Sequence, residues 1–428
     1  MATFLRRSVT KVWEFMHAFW LIVGVTIAML LLMETCFRVR SAVNSSRAAA
    51  RPRTMLAGDP RAAAWYPQFS KEFDDTRVQH WKPYLYFARL PSYRGKYITI
   101  DSLAHRVTPQ PTTPAIPAAR VFFFGGSTMW GNSQRDDHTI AAEAARRLQT
   151  LAGPGQRIEV SNLAETGYVF TQELIELMLE LRAGNHPDVV VFYDGLNDVA
   201  SAMQFGVPGI PQNESKRIAE FAMGRALDRA AYEQGFRKDM RALGVLAGQA
   251  AQQFAMTDWA KSRKLGPAAN YISVDSATRG AVHVYAENVR MIEALSAKYG
   301  FTPIFVWQPN LHASEKQLVP YEQRLRRSIE NDPYHSRLQQ MHRMLPPVLD
   351  SAVAGLAPGR FVDASSLFRG DTMSVYTDWL GHNTEQSVPK IVDAFWVPLQ
   401  TAVQAAVARN RLSAMAAMPA KNRQRGSN

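Results

Sequence analysis

Arg120-Val121-Phe122-Phe123-Phe124-Gly125-Gly126-Ser127 is the stretch that decides the fold. Four consecutive large apolar residues leave no polar face, so a strand here is covered on both sides. The two glycines let the chain turn sharply and bring the Ser127 hydroxyl out at the strand end. Residues 158–163, 187–193, 304–307 and 360–363 read as further strands, and they are separated by helical spacing at 139–151, 170–181, 281–298, near 334–349 and from Pro389. Strands alternating with helices in this way predict a mainly parallel five-stranded sheet with helices on both faces, joined by right-handed crossovers. The Ala-rich stretch 200–280 breaks the rhythm and predicts a helical cap inserted into the domain.

The chain of 428 residues carries a net charge of +12. Residues 1–53 hold eight Lys/Arg against two acids and residues 404–428 hold five against none, so residues 54–403 carry about +1. The basic excess therefore lies in the two ends. That excludes the basic face a nucleic-acid binder needs. Cys36 is the single cysteine, which excludes an intrachain disulfide or thiolate metal site, and the preceding Met33-Glu34-Thr35 lacks the small apolar residues of a lipoprotein processing site.

Residues 13–33 read WEFMHAFWLIVGVTIAMLLLM, long enough to span a bilayer as one helix with Trp13 and Trp20 as interfacial anchors. Glu34, Phe37, Arg38 and Arg40 follow in place of a small-residue cleavage site, which favours an uncleaved anchor. Arg and Lys flank the segment on both sides, so charge alone does not orient it. Residues 41–80 read as a juxtamembrane linker. Trp81, Tyr84, Tyr86 and Phe87, then Tyr93 and Tyr97 around Gly95, read as a hairpin-like arm, which either packs its rings on the next domain or offers a sugar-stacking surface. A Pro/Thr-rich run at 108–117 closes the arm.

In a parallel sheet of this kind the ligand site lies beyond the C-terminal strand ends. Four loops there carry chemistry. Gly126-Ser127 offers a nucleophile, although a Gly-Gly-Ser turn by itself is most often a plain turn or a phosphate-binding helix start. Gly167, in Ala164-Glu165-Thr166-Gly167, and Asn197, in Gly195-Leu196-Asn197-Asp198, are suitable donors to an oxyanion, together with the N–H of Ser127. Both also have structural uses, a positive φ for the one and a helix cap for the other. His382, in Tyr376-Thr377-Asp378-Trp379-Leu380-Gly381-His382, can act as general base, with Asp378 the nearby carboxylate. His312, after the 304–307 strand, is a second candidate base or a substrate contact, and Asp198 and Trp130 are further expected substrate contacts. No His/Asp/Glu grouping has metal-ligand spacing and no phosphate-cradling motif is present, so the reading calls for no metal and no cofactor.

These four loops, in this order, resemble the signature blocks of the SGNH (GDSL-like) hydrolase superfamily over roughly residues 118–200 and 300–400. Gly195-x-Asn197-Asp198 is the most specific piece. FFFGGSTMWG, ETGYVFTQE and VVFYDGLNDV are further similar to a membrane-anchored branch associated with bacterial exopolysaccharide production. The resemblance implies an SGNH/flavodoxin-like α/β domain at 118–400, behind an anchor at 1–37 and a linker and arm at 38–117, with a basic tail at 401–428. It implies a serine esterase removing acyl groups, O-acetyl first, from a polysaccharide. The alternatives are an O-acyltransferase using the same serine, a lipid esterase or thioesterase, and a non-catalytic glycan-binding scaffold. It also implies an inner-membrane protein anchored through residues 13–33, with a periplasmic catalytic domain and exopolysaccharide assembly proteins as partners. Three departures stand out. Gly126 replaces the family's usual Asp, Ser387 replaces a Gly, and Asp378 stands four residues before His382 where the family has three. Either the loop absorbs one extra residue and still brings Asp378 to His382, or the site is a Ser–His dyad.

Overall fold

The computed structural model describes residues 2–50, 55–111, 116–212, 272–312 and 315–417, with isolated positions between 213 and 271. The expected cap at 200–280 lies mostly outside the described residues; its edges are the ends of the helices Leu196–Phe205 and Val274–Tyr299. The N-terminal helix belongs to one compact unit, and Met55–Glu214 with Asn270–Asn428 form the other.

Five strands form the sheet: β3 (Ile116–Gly125), β4 (Gln156–Asn162), β5 (Val189–Asp194), β6 (Thr302–Trp307) and β7 (Phe361–Asp363). Their order is β4-β3-β5-β6-β7, and every pairing is parallel. This is the mainly parallel sheet read from the sequence. Because strand side chains alternate, the phenylalanine run feeds two cores. Val121 and Phe123 join Val191, Val306 and the helices Ile140–Leu148 and Val388–Ala417 on one face. Phe122 and Phe124 join Phe192, Phe305 and the helices Phe170–Arg182, Val274–Tyr299 and Pro333–Val353 on the other. Phe124, Phe192 and Phe305 stack across three adjacent strands, with centroids 5.1 and 5.7 Å apart.

Two expected boundaries are corrected. The N-terminal helix runs from Ala2 to Ala50, so residues 41–50 continue it, and Tyr66–Asp75 is a helix of the folded unit. Residues 401–417 are not a tail: Val388–Ala417 is one helix, with Val403 and Ala406 buried against the sheet. That burial explains why Glu385–Ala416 is apolar enough to resemble a membrane span. Met16–Arg40 also has the required length and apolarity, with a mean hydropathy of 2.2 and none of its window buried.

The arm buries Leu85, Phe87, Ile98 and Ile100 in the fold, whereas Trp81 and Tyr84 are exposed. The Glu72 carboxylate accepts the N–H groups of Lys96, Tyr97 and Ile98 at 3.0, 2.8 and 3.1 Å and so closes the turn at Gly95. Phe69, Ile98 and Ile100 then sit in the same core as β3. A short antiparallel pair, β1 (Gln79–His80) with β2 (Ala88–Arg89), carries Arg89 toward the sheet.

Candidate active site

Ser127 begins a one-turn helix, Ser127–Trp130, directly beyond β3. Its Oγ lies 2.6 Å from Nε2 of His382, and Nδ1 of that ring lies 2.6 Å from Oδ2 of Asp378. The chain between Asp378 and His382 closes as a turn: Gly381 takes φ +82°, its N–H points back to the Asp378 carbonyl, and the Trp379 ring meets His335 edge-on at 4.5 Å. Burial of Asp378 works to raise its pKa, but the charge and hydrogen bonds of His382 and the Leu380 N–H outweigh it and hold the carboxyl below its ordinary value.

The loop is anchored from below. The Glu322 carboxylate accepts the N–H groups of Val375 and Tyr376 at 2.7 and 3.0 Å, and Lys316, fully buried with it, neutralises its other oxygen at 2.7 Å. Tyr321 Oη donates to the Thr377 carbonyl at 2.6 Å, and the Thr377 N–H donates to the His382 carbonyl. Two further loops reach the same point. Gly167 takes φ +87° at the mouth of the cavity, a conformation suited to glycine. Asn197 is oriented at both ends of its amide, Nδ2 donating to the Tyr168 carbonyl at 2.7 Å and Oδ1 accepting from Gln212 at 3.1 Å. Gly195 at φ +128° starts this helix against Trp307, where a Cβ would come within 2.8 Å of the ring.

The structure thus brings Ser127, Gly167, Asn197, Asp378 and His382 around one cavity of about 670 Å³. His312 also lines it. Its Nδ1 is buried without a partner, and it is His382, not His312, whose ring nitrogen lies beside the Ser127 hydroxyl. Trp130 and Asp198 are corrections. Trp130 is fully buried, with the Arg89 and Arg106 guanidiniums 3.9 and 4.4 Å from its ring centroid, and it is absent from the cavity wall. Asp198 is turned to the Phe170 N–H at 3.0 Å, where it satisfies an orphan donor at a helix start, and burial raises its carboxyl to about 6.

Sequence reasoning missed Asn132, Thr166 and Arg89. Asn132 Nδ2 is 3.3 Å from His382 Nε2, its Oδ1 accepts from Thr166 Oγ1 at 3.2 Å, and Thr166 accepts from Arg89 at 2.8 Å. Asn132 is presented by Gly131, the left-handed end of the Ser127 turn at φ +93°. A glycine four residues after the serine was the available signal. The cavity lining includes Leu196, Ala200, Leu338 and Leu380 together with Tyr66, Phe69 and Phe73 of the helix Tyr66–Asp75 and Arg77 and Gln79 after it. Trp81, Tyr84, Tyr86 and Tyr93 do not line it. Among the described residues, one donor group, His105, Glu176 and Glu180, has its ligand atoms within 4.8 Å of one another, but Lys82 already pairs with Glu176 at 2.7 Å.

No protein-family model and no curated protein sequence matches the chain. Among solved structures it is similar to LAE5, an α/β hydrolase enzyme from the metagenome of Lake Arreo, Spain, at 11% identity and TM-score 0.35, covering 67% of this chain and 97% of that one. It is also similar to Axe2, an acetylxylan esterase from Geobacillus stearothermophilus, at 14% identity and TM-score 0.34, covering 66% and 95%. TesA aligns at 12% identity and TM-score 0.33, covering 66% and 99%.

Proposed function

We propose that this chain is a serine esterase that removes acyl groups, O-acetyl first, from a polysaccharide. The observation that carries the reading is the Ser127–His382–Asp378 line, with both links at 2.6 Å, at the C-terminal edge of a parallel sheet. Ser127 Oγ attacks the ester carbonyl as His382 Nε2 takes its proton, and Asp378 fixes the Nδ1–H tautomer. The N–H groups of Ser127 and Gly167 and the Asn197 amide face the oxyanion. His382 returns the proton to the leaving sugar hydroxyl. Water then adds to the acyl-serine with His382 again as base, releasing the carboxylic acid and restoring Ser127. The mixed wall supports the substrate class: aromatic rings with Arg77 and Gln79 suit a sugar, and the leucines suit a short acyl group. We propose also that Met16–Arg40 tethers the esterase to the inner membrane with its α/β unit in the periplasm, beside exopolysaccharide assembly proteins.

The test offers acetylated glycans, p-nitrophenyl acetate and lysolipids, each with and without a sugar acceptor, and a fluorophosphonate probe. Release of acetate from glycans and labelling that Ser127→Ala abolishes are expected. Transfer to the acceptor in place of hydrolysis would make the protein an acyltransferase. A folded protein that takes no probe and cleaves no activated ester would overturn the enzymatic reading in favour of a glycan-binding scaffold. A C-terminal reporter active only in the cytoplasm would overturn the topology.

A further inference from the structure

Asn132 ends a chain of hydrogen bonds whose direction is set at its far end. Arg89, nearly fully buried, has only donors to offer. Its Nη1 is taken by the carbonyl and Oγ1 of Thr76 at 2.7 and 3.1 Å, and its Nη2 donates to Thr166 Oγ1 at 2.8 Å. Burial lowers its pKa only to about 10, so the guanidinium stays charged at neutral pH. Because the Thr166 oxygen accepts from Arg89, its hydroxyl hydrogen turns to Asn132 Oδ1 at 3.2 Å. The amide oxygen is thereby committed, and the donor end of the amide, Nδ2, is the one that stands 3.3 Å from His382 Nε2.

That donor has no firm partner in the resting site. His382 gives its Nδ1–H to Asp378, which leaves Nε2 a single lone pair, and Ser127 Oγ claims it at 2.6 Å. Nδ2 of Asn132, at 3.3 Å, is the looser of the two neighbours. Once Nε2 has taken the serine proton it becomes a donor itself, and two donors cannot satisfy each other. An oxygen entering between them accepts from both.

We propose that Asn132 is a catalytic residue that holds the leaving oxygen of the ester beside His382; the inference rests on the esterase reading above. As the tetrahedral intermediate collapses, the bond from the acyl carbon to that oxygen breaks and its electron pair stays on the oxygen. His382 Nε2 then delivers the proton it took from Ser127. Asn132 transfers nothing. Its N–H donates to the oxygen while negative charge grows there, and a donor already in place costs no reorganisation at that moment. The water that later cleaves the acyl-serine enters at the same spot, its oxygen toward Asn132 and one hydrogen toward His382 Nε2. Asn132 and Thr166 both line the cavity, so substrate and water reach the amide. The N–H groups of Ser127 and Gly167 and the Asn197 amide serve the carbonyl oxygen of the ester, and Asn132 serves the other oxygen.

The experiment measures kcat/KM for substituted phenyl acetates, from p-nitrophenyl to p-methylphenyl, on full-length wild type, Asn132→Ala and Thr166→Val in detergent, with active serine counted by the fluorophosphonate probe. A p-nitrophenolate departs with little help, whereas a p-methylphenolate is the stronger base and depends on the donors around it. Asn132→Ala should therefore lose about tenfold more per labelled serine on the p-methylphenyl ester than on the p-nitrophenyl ester. Thr166→Val keeps the amide but frees its orientation, and should steepen the dependence in the same sense by about threefold. An equal loss on every ester would overturn the proposal and make Asn132 an oxyanion donor or a structural residue, with the esterase reading intact. A wild type that takes no probe would remove the esterase reading and this role with it. Should Asn132→Ala not fold, Thr166→Val decides alone: a steepened dependence supports the role and an unchanged one overturns it.

Discussion

A Cβ placed on Gly126 would overlap Nδ2 of Asn197, although the φ of −81° at Gly126 is open to any residue. Space, not backbone conformation, requires glycine here. The position where the resembling family carries Asp is filled in this chain by the approach of the Asn197 amide. Gly126→Asp should therefore push the Asn197 amide away and cost roughly a hundredfold in kcat, the size of effect expected for one lost oxyanion donor. Asn197→Ala should give a similar loss, and the double variant little more than either alone. Additive losses in p-nitrophenyl acetate kinetics would show that the two residues act separately.

Asp378→Asn tests the third departure from the pattern the sequence resembles. The carboxylate contacts His382 despite the additional residue, so its loss should leave the ring in the wrong tautomer and lower kcat by about 10³–10⁴. A fall of only a few fold would mean that Ser127 and His382 work as a dyad.

Arg106 is a structural cation placed to hold the segment after the nucleophile. Its fully buried guanidinium donates to the carbonyls of Trp130, Gly131 and Gln134 at 3.1, 2.7 and 2.6 Å and to Asp136 at 2.9 Å. Arg106→Met strands these acceptors and should destabilise the fold by about 3–5 kcal/mol in urea unfolding. Arg106→Lys should recover only part of this, because an ammonium has three donors and no planar fork.

Glu173, Asp194 and Asp198 form a buried acidic group, and burial raises the carboxyls of Glu173 and Asp194 well above their ordinary values. For a carboxyl whose folded pKa exceeds its unfolded value, the folded state holds the proton more tightly. Stability is then greatest below the unfolded value near 4 and falls as pH rises through the folded one. Glu173→Gln removes one such group. Its melting temperature should match wild type near pH 5 and exceed it by about 2–4 °C or more at pH 8–9. A difference that shrinks as pH rises would contradict this.

The sheet was legible because its signal is local. A strand covered on both faces must be apolar at every position, and 121–124, 189–193 and 304–307 show this without reference to anything distant. The order of the four loops was legible too, since parallel connections bring every C-terminal strand end to one edge, which carried Ser127, Gly167, Asn197 and His382 to a common place before any distance was known.

What the sequence left open depended on partners far away in the chain. Trp130 reads as a ligand-stacking ring three residues from the nucleophile, but Arg89 and Arg106 enclose it from the arm, a contact no local pattern encodes. The arm's wall-forming residues proved to be Tyr66, Phe69 and Phe73, inside a stretch that reads as linker, because an amphipathic helix of ten residues is recognisable only once the surface that buries its apolar side is present. Residues 401–417 read as a charged tail because Arg409 and Arg411 dominate their composition, whereas Val403 and Ala406 are decided by the sheet face they meet. Whether Asp378 reaches His382 depended on a turn with Gly381 at positive φ, in a loop held by side chains from 321 and 322. Spacing along the chain sets which residues can meet, but loop curvature is the sum of such distant contacts, and these exist only in the folded molecule.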